Sequence, residues 1–274
     1  MKKGIVSGWA GVGCVFSRCG TGCAEQSHAD GGRGRGILRG SARALAATAA
    51  LLAGCVPAAP TNTAELRELA MQYVTQAATF QENPVVRAQA IEALQEIQGE
   101  QAASWFRQAL SDEHPGVRFA ACMAIGTIRH KPSEALVRLR LADPDASVRV
   151  AAMYALRRMG DQSFVREWAE IITSHPDVPV RRNAVLALGR LGEQGAAGLL
   201  RRVRREDKDE SVQLQALEGM ALLGDRHAVA DLIFYANSNV GALQVFALAT
   251  LGRIGDPRCI PTLEYCFKNA PYLE

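Results

Sequence analysis

Val148-Arg149-Val150-Ala151-Ala152, with Leu156 four residues on, is one copy of a pattern that recurs along the chain. The others are Val86-Arg87…Ala90…Leu94, Val117-Arg118…Ala121…Ile125, Val180-Arg181…Ala184…Leu188 and Val212-Gln213…Ala216…Met220, with a weaker copy at Leu243-Gln244…Ala247…Leu251. The anchors at 86, 117, 148, 180, 212 and 243 are 31, 31, 32, 32 and 31 residues apart. A constant period of this size is the signature of a solenoid, in which each unit stacks on its neighbours and no single central core exists. The 274 residues are therefore read as an array and not as one or two globular domains.

The unit at 207–236 shows how one copy folds. Asp207-Lys208-Asp209-Glu210-Ser211 supplies acidic and hydroxyl groups suited to a helix N-terminus. Val212, Ala216, Met220 and Leu223 then form one helical stripe, and Gly224 stops the helix. Asp225-Arg226-His227 turns the chain, and Ala228 to Ala236 makes a second helix with Val229, Leu232, Ile233 and Ala236 inward. Across the units an Ala column (Ala90, Ala121, Ala152, Ala184, Ala216, Ala247) is small where helices approach closely. Two large apolar columns follow, Leu94 to Leu251 and Ile97 to Ile254, and the second helices contribute Phe106, Val137, Trp168, Leu200, Leu232 and Leu263. Gly160, Gly192, Gly224 and Gly255 close four of the first helices. A lone helix pair cannot bury such a face, so the units must stack.

Asp143-Pro144-Asp145-Ala146-Ser147-Val148-Arg149-Val150-Ala151-Ala152 and Leu251-Gly252-Arg253-Ile254-Gly255-Asp256-Pro257-Arg258-Cys259-Ile260-Pro261-Thr262-Leu263 resemble the HEAT repeat, in particular the short bacterial HEAT-like repeats of phycobilisome lyases. The resemblance covers about residues 81–268 and implies an all-α, right-handed α-solenoid of about six helix pairs over 81–274, with a cap helix over 64–80. It does not identify a function, because this family serves scaffolds, adaptors and a few enzymes. It does imply that second helices line the concave face. On that basis Arg107, Arg138, Arg166 and Arg201 are expected to form a basic stripe running into an aromatic patch at Phe234 and Tyr265, a candidate partner groove.

The Arg column has a different expected role. Arg87, Arg118, Arg149 and Arg181 stand just inside their repeats, with Asn83, His114, Asp145 and Asp177 three residues before the anchors. An arginine there is expected to bond the Asp or backbone carbonyls of a neighbouring turn, making a structural ladder.

The first 54 residues belong to another category. Leu38-Arg39-Gly40-Ser41-Ala42-Arg43, the apolar run Ala44–Ala53 and Gly54-Cys55 make a basic region, a hydrophobic region and a small-residue cleavage site. Spanning a bilayer needs about 20 residues, more than this run offers. Leu52-Ala53-Gly54-Cys55 resembles a bacterial lipobox, which implies lipidation of Cys55 and a membrane anchor. Residues 1–54 are thus expected to be a leader with a true start near Leu38, and 55–63 a tether.

Charge and motifs exclude several functions. Of 31 Lys/Arg and 28 Asp/Glu, seven and two fall in residues 1–54, which leaves 24 and 26 in the body, a net of −2. A nucleic-acid binder would concentrate positive charge there. Arg201-Arg202-Val203-Arg204-Arg205 is followed at once by Glu206-Asp207-Lys208-Asp209-Glu210 and reads as a solvated stretch with local ion pairs. Cys14, Cys19 and Cys23 have no partner set at metal spacing, and Cys259 and Cys266 lie too far apart on one helix for a disulfide. His114, His130, His175 and His227 fall in or beside turns, no His-Glu dipeptide occurs, and no P-loop, Rossmann or Gly-x-Ser-x-Gly pattern is present. The expected protein is a non-enzymatic scaffold of the cell envelope that binds another protein, without metal, cofactor or nucleic acid. The alternatives are a cytoplasmic scaffold or regulator and, on resemblance alone, a phycobilin-lyase-like component.

Overall fold

The structure is a computed structural model that describes residues 62–269 with the exception of 239. The leader, Cys55 and the tether up to residue 61 lie outside the described residues. The described residues divide into two units within the first helix, Asn62–Gln72 and Tyr73–Asn269. In the first unit Asn62 caps α1 (Thr63–Ala78): its Oδ1 accepts from the Glu65 N–H at 2.9 Å, and its Nδ2 donates to Glu65 Oε1 at 2.9 Å.

The second unit is an α-solenoid of six helix pairs, with no strand among the described residues. The pairs are α2 (Pro84–Gln98) with α3 (Ala103–Ala109), α4 (Pro115–Ile128) with α5 (Glu134–Leu139), and α6 (Ala146–Arg158) with α7 (Val165–Ser174). They continue as α8 (Val178–Leu191) with α9 (Ala197–Glu206), α10 (Glu210–Leu222) with α11 (Arg226–Ala236), and α12 (Gly241–Ile254) with α13 (Ile260–Lys268).

The helix boundaries have local causes. Asn83 accepts from the Val85 and Val86 N–H groups, Asp145 from Ser147 and Val148, and Asp209 from Ser211, each satisfying donors that the first turn leaves open. His114 Nδ1 does the same for Gly116 at 3.1 Å. At the other end Gly192 and Gly255 take the left-handed conformation (φ 72° and 65°) that glycine adopts without a Cβ clash. Arg129 takes it at the end of α4 (φ 53°), the one described non-glycine residue to do so.

Each second helix from α3 to α11 packs mainly against the first helix of the following pair, and successive first helices pack directly on one another from α2 to α10. The first helices come so close that backbones touch. A Cβ added to Gly189 would lie 2.7 Å from the Gly219 Cα, and one added to Gly126 would lie 2.7 Å from the Ala155 Cα. The Ala column is buried in every pair, as are Leu94, Ile125, Leu156 and Leu251. Ile97, grouped with the second apolar column, is instead exposed. Trp168 is buried and donates its indole N–H to the Ala184 carbonyl at 3.1 Å.

This packing reverses one expectation. The row of first helices curls on itself, so that Ala88, Gln89 and Glu92 of α2 line one cavity with Asn183 of α8, three repeats onward. The first helices therefore line the inside of the curve. The second helices, which carry Arg107, Arg138, Arg166 and Arg201, form the outer row. Small residues at the helix crossings cause the reversal, because the side with the closest backbone approach must be the inner one.

An Arg–Asp ladder ties the inter-repeat turns together. Arg87 holds Asp112 through Nε and Nη2 at 2.9 and 2.8 Å, Arg118 holds Asp143 at 2.8 and 2.8 Å, and Arg181 holds Asp207 at 2.9 and 3.0 Å. The Nη1 of each donates to carbonyls of its own entry turn: Phe80 and Gln81, Asp112 and Glu113, His175 and Pro176. Arg149 donates to the Asp143 and Pro144 carbonyls, but the next turn carries Ser174-His175 in place of an aspartate. In the last two pairs glutamine takes over, with Gln213 donating to the Asp207 carbonyl and Gln244 to the Ala236 carbonyl. The residues three before the anchors are helix caps. The acids of the ladder stand two residues earlier still.

Two expected outcomes follow from this packing. Gly189→Ala forces a methyl into the Gly219 backbone and should lower the unfolding free energy by about 1–3 kcal/mol in urea titration, whereas Gly195→Ala, with open space around it, should not. Asp143, fully buried as a side chain, is opposed by burial, yet Arg118 and the Asp145 N–H hold its carboxyl below the usual aspartate value. A depressed carboxylate stabilises the fold fully above its unfolded pKa and loses that contribution as pH falls through the folded one. Asp143→Asn should therefore cost roughly 3–5 kcal/mol near neutral pH, with the deficit relative to wild type shrinking between about pH 5 and pH 2.

Candidate partner-binding face

The inner face is made by residues three, six and ten past each anchor, on one side of the first helices. On α2 these are Gln89, Glu92 and Glu96, on α8 Asn183, Leu186 and Arg190, and on α10 Gln215, Glu218 and Leu222, with Arg253 on α12. The face is polar on α2 and in part on α8 and α10, whereas on α4 and α6 the same positions are Ala120, Met123 and Thr127, and Ala151, Tyr154 and Arg158. Glu218 is 3 % exposed, accepts from Gln215 Nε2 at 2.6 Å and forms an ion pair with Arg253 of the next repeat. Burial pushes the Glu92 carboxyl up, Arg190 and Arg253 pull it down, and its helix neighbour Glu96 adds to the rise. Nearer the middle of the array Tyr154 is buried, with its hydroxyl 3.2 Å from Thr127 Oγ1.

A cavity of about 150 Å³ opens between α2, α4, α6 and α8 on this face. Ala88, Pro115, Phe119 and Ala120 form its apolar wall, and Gln89, Glu92, Asp145, Ser147 and Asn183 its polar one. Asn183 is 8 % exposed; its Nδ2 donates to Ser147 Oγ at 3.0 Å, and its Oδ1 is buried without a hydrogen-bond partner. A buried acceptor left open costs about 1–3 kcal/mol.

The residues of the expected basic stripe lie on the second helices, and two of them have acidic neighbours. Arg138 is bound by Glu134 at 2.9 Å and by Asp161 at 2.8 Å, and Arg201 lies 3.8 Å from Asp225. Arg107 and Arg166 are exposed. Phe234 and Tyr265 are also exposed, at 74 % and 60 %, and Phe234 stacks edge-on against Tyr235, whose hydroxyl accepts from Arg204 at 3.1 Å. They belong to an apolar end of the array with Val245, Ile260 and Phe267.

The inner polar residues carry a sequence signal. Gln89, Asn183 and Gln215 share one register position, and Glu92 and Glu218 another. Which helix row faces inward decides whether that signal means solvent or a site. Cys122 is buried among the first helices, which pushes its thiol up to about 12, and Cys259 is likewise raised by burial. Cys266 is half-buried against the Ala236 carbonyl. No group of His, Cys, Asp and Glu able to hold a metal occurs among the described residues, and no helix among them is long and apolar enough to cross a membrane.

The family model described as HEAT repeats matches residues 71–140 and 133–221, and that of the PBS lyase HEAT-like repeat matches 243–266. No curated protein matches the chain. Among solved structures, the complex of CpcE and CpcF of phycocyanin lyase from Nostoc sp. PCC7120 is 21 % identical, with 76 % of this chain and 83 % of that one covered and a TM-score of 0.46. Human deoxyhypusine hydroxylase in complex with glycerol is 17 % identical, with 76 % and 81 % covered and a TM-score of 0.38. The E. coli protein YibA is 16 % identical, with 77 % and 92 % covered and a TM-score of 0.32.

Glu218 and Arg253 should behave as a coupled pair. Arg253→Leu takes the cation from the buried Glu218 carboxylate and should cost about 3–5 kcal/mol, while Arg253→Leu combined with Glu218→Leu should cost less than the single change. A denaturation cycle over the four proteins measures the difference.

Proposed function

Because the chain belongs to the HEAT-repeat family, we propose that it is a membrane-tethered, exported scaffold that binds a segment of another protein along the inner face of its first helices. The observation that carries this reading is the polar inner face, with a buried acceptor left open at Asn183 in the wall of a cavity. A surface that existed only to hold the array together would be apolar and closed, like the helix crossings at Gly126 and Gly189. A curved array also presents one continuous face to an extended partner, so that weak contacts from several repeats add along a single chain.

The tether rests on residues 38–55, where charge, apolar run and lipobox agree, with Cys55 as the lipidated residue and a bacterial cell envelope as the compartment. Its role is binding and not catalysis. The histidines of the array are used locally, His114 as a helix cap and His130 against Ser133 Oγ at 2.7 Å.

Photo-crosslinking in the native host, read by intact mass of the membrane fraction, tests both halves. A benzoylphenylalanine at position 96 on the inner face should yield a defined protein adduct on a chain that begins at acylated Cys55. The same group at position 166 on the outer row should yield none. An adduct from 166 alone would overturn the inner face as the binding surface. A soluble chain with an unprocessed N-terminus would overturn the tether.

A further inference from the structure

The last described pair, α12 with α13, retains the side on which each earlier pair receives the first helix of the next. That side has a fixed register. Nine residues past the anchor, Gly126 and Gly189 admit the backbones of Ala155 and Gly219 in the following first helix. Twenty residues past it, Trp168 donates to the Ala184 carbonyl of the following first helix, and Leu200 lies against Gly219. In the last pair the same two positions are Gly252 and Leu263. No described atom lies within 4 Å of a Cβ built on Gly252.

Burial follows the same register. Phe106, Val137, Trp168, Leu200 and Leu232 are buried, whereas Leu263, in their position, is half-buried. Leu110, Ile172 and Ala236 are buried, whereas Phe267, in theirs, is 69 % exposed. Val245, Leu248 and Gly252 run along one side of α12 at i, i+3 and i+7, and Ile260, Leu263 and Phe267 run likewise along α13. The two stripes make an apolar groove of the kind that elsewhere in the array holds a first helix.

The groove specifies its occupant. A first helix seated in this position brings a small residue to the crossing, Ala155 or Gly219. α12 itself carries such a face, with Ala249 and Gly252 beside Val245 and Leu248. No charge selects a different partner or repels a second copy. The stripes are uncharged, and the charged side chains of α12, α13 and their turn are engaged within the array: Arg253 with Glu218, Arg258 with Asp256, Lys268 with Glu264. The terminal repeat of a solenoid that stands alone in water carries a polar outer side; this pair carries an apolar one.

We infer that the groove takes α12 of a second copy of this chain, in a two-fold dimer joined through the α12–α13 ends. Each α12 lies between α12 and α13 of the other copy, so that two helix layers interlock with both Gly252 backbones at the crossing. The contact continues, about a two-fold axis, the packing that joins the pairs within the array. A self-complementary face of this kind closes at two copies. The assignment is independent of which face binds a partner segment.

Sedimentation velocity of the full chain tests it. The wild type should sediment at twice the mass of the 29.4 kDa chain. Gly252→Leu fills the groove where the single chain has open space, so helicity should be unchanged. The dimer should weaken by roughly tenfold or more, the cost of overpacking a close crossing. Phe267→Glu, at an exposed position, should also weaken it by placing an unpaired carboxylate among apolar side chains. Gly198→Leu, with open space around it on α9, should change nothing. A benzoylphenylalanine at position 248 should crosslink to α12 or α13 of the second copy. A monomer at every concentration overturns the inference, as does a dimer that survives both Gly252→Leu and Phe267→Glu. Species that keep growing with concentration overturn the two-fold contact in favour of head-to-tail stacking. An adduct from position 248 to residues 270–274 of the same chain, or to a different protein, gives the groove to that occupant and overturns the second copy.

Discussion

Backbone contact between successive first helices is the constraint on which the rest of the array depends. Gly189 against Gly219 and Gly126 against Ala155 bring neighbouring helix axes together on one side of the stack. The second helices, spread by Phe106, Trp168 and Leu200, keep the other side wider. A stack narrow on one side and wide on the other must curve toward the narrow side. Curvature then brings α2 to a cavity that it shares with α8.

Curvature also explains the polar residues inside. A first helix in this array is covered on several sides: by its own second helix, by the second helix before it, and by the first helices on either hand. α4 is buried over most of its length, from Val117 to Gly126. Polar groups that project from such helices have little water to turn to and must find partners across repeats, as Glu218 does with Arg253 and Asn183 with Ser147. The set is incomplete at Asn183 Oδ1, which is buried without a hydrogen-bond partner.

The turn ladder holds the spacing between repeats while the helix crossings set their tilt. Bidentate Arg–Asp pairs at Arg87, Arg118 and Arg181 each clamp two turns at once, because the same guanidinium also bonds the carbonyls of its own entry turn. The Gln213 and Gln244 amides keep the carbonyl bond and give up the charge. The carbonyl bond is thus the invariant part of the device, and the ion pair a reinforcement of it in the first, second and fourth pairs.

The repeat period, the helix pairs, the helix start at 207–211, the buried alanine column and the hydrogen-bonding role of the Arg column were legible in the sequence, because each depends on residues within one repeat or its neighbour, whereas the cap role of Asn83 and Asp145 was not. The side of the curve on which each helix row lies was not legible. It depends on how closely backbones approach at single glycines in different repeats, and the sum of those small tilts appears only when all the units are stacked. Repeat register and the resemblance therefore pointed to the second helices and to Arg107, Arg138, Arg166 and Arg201. The tertiary structure brought polar residues of different first helices together, Glu218 with Arg253 and Asn183 with Ser147, because only stacking sets which helix faces meet.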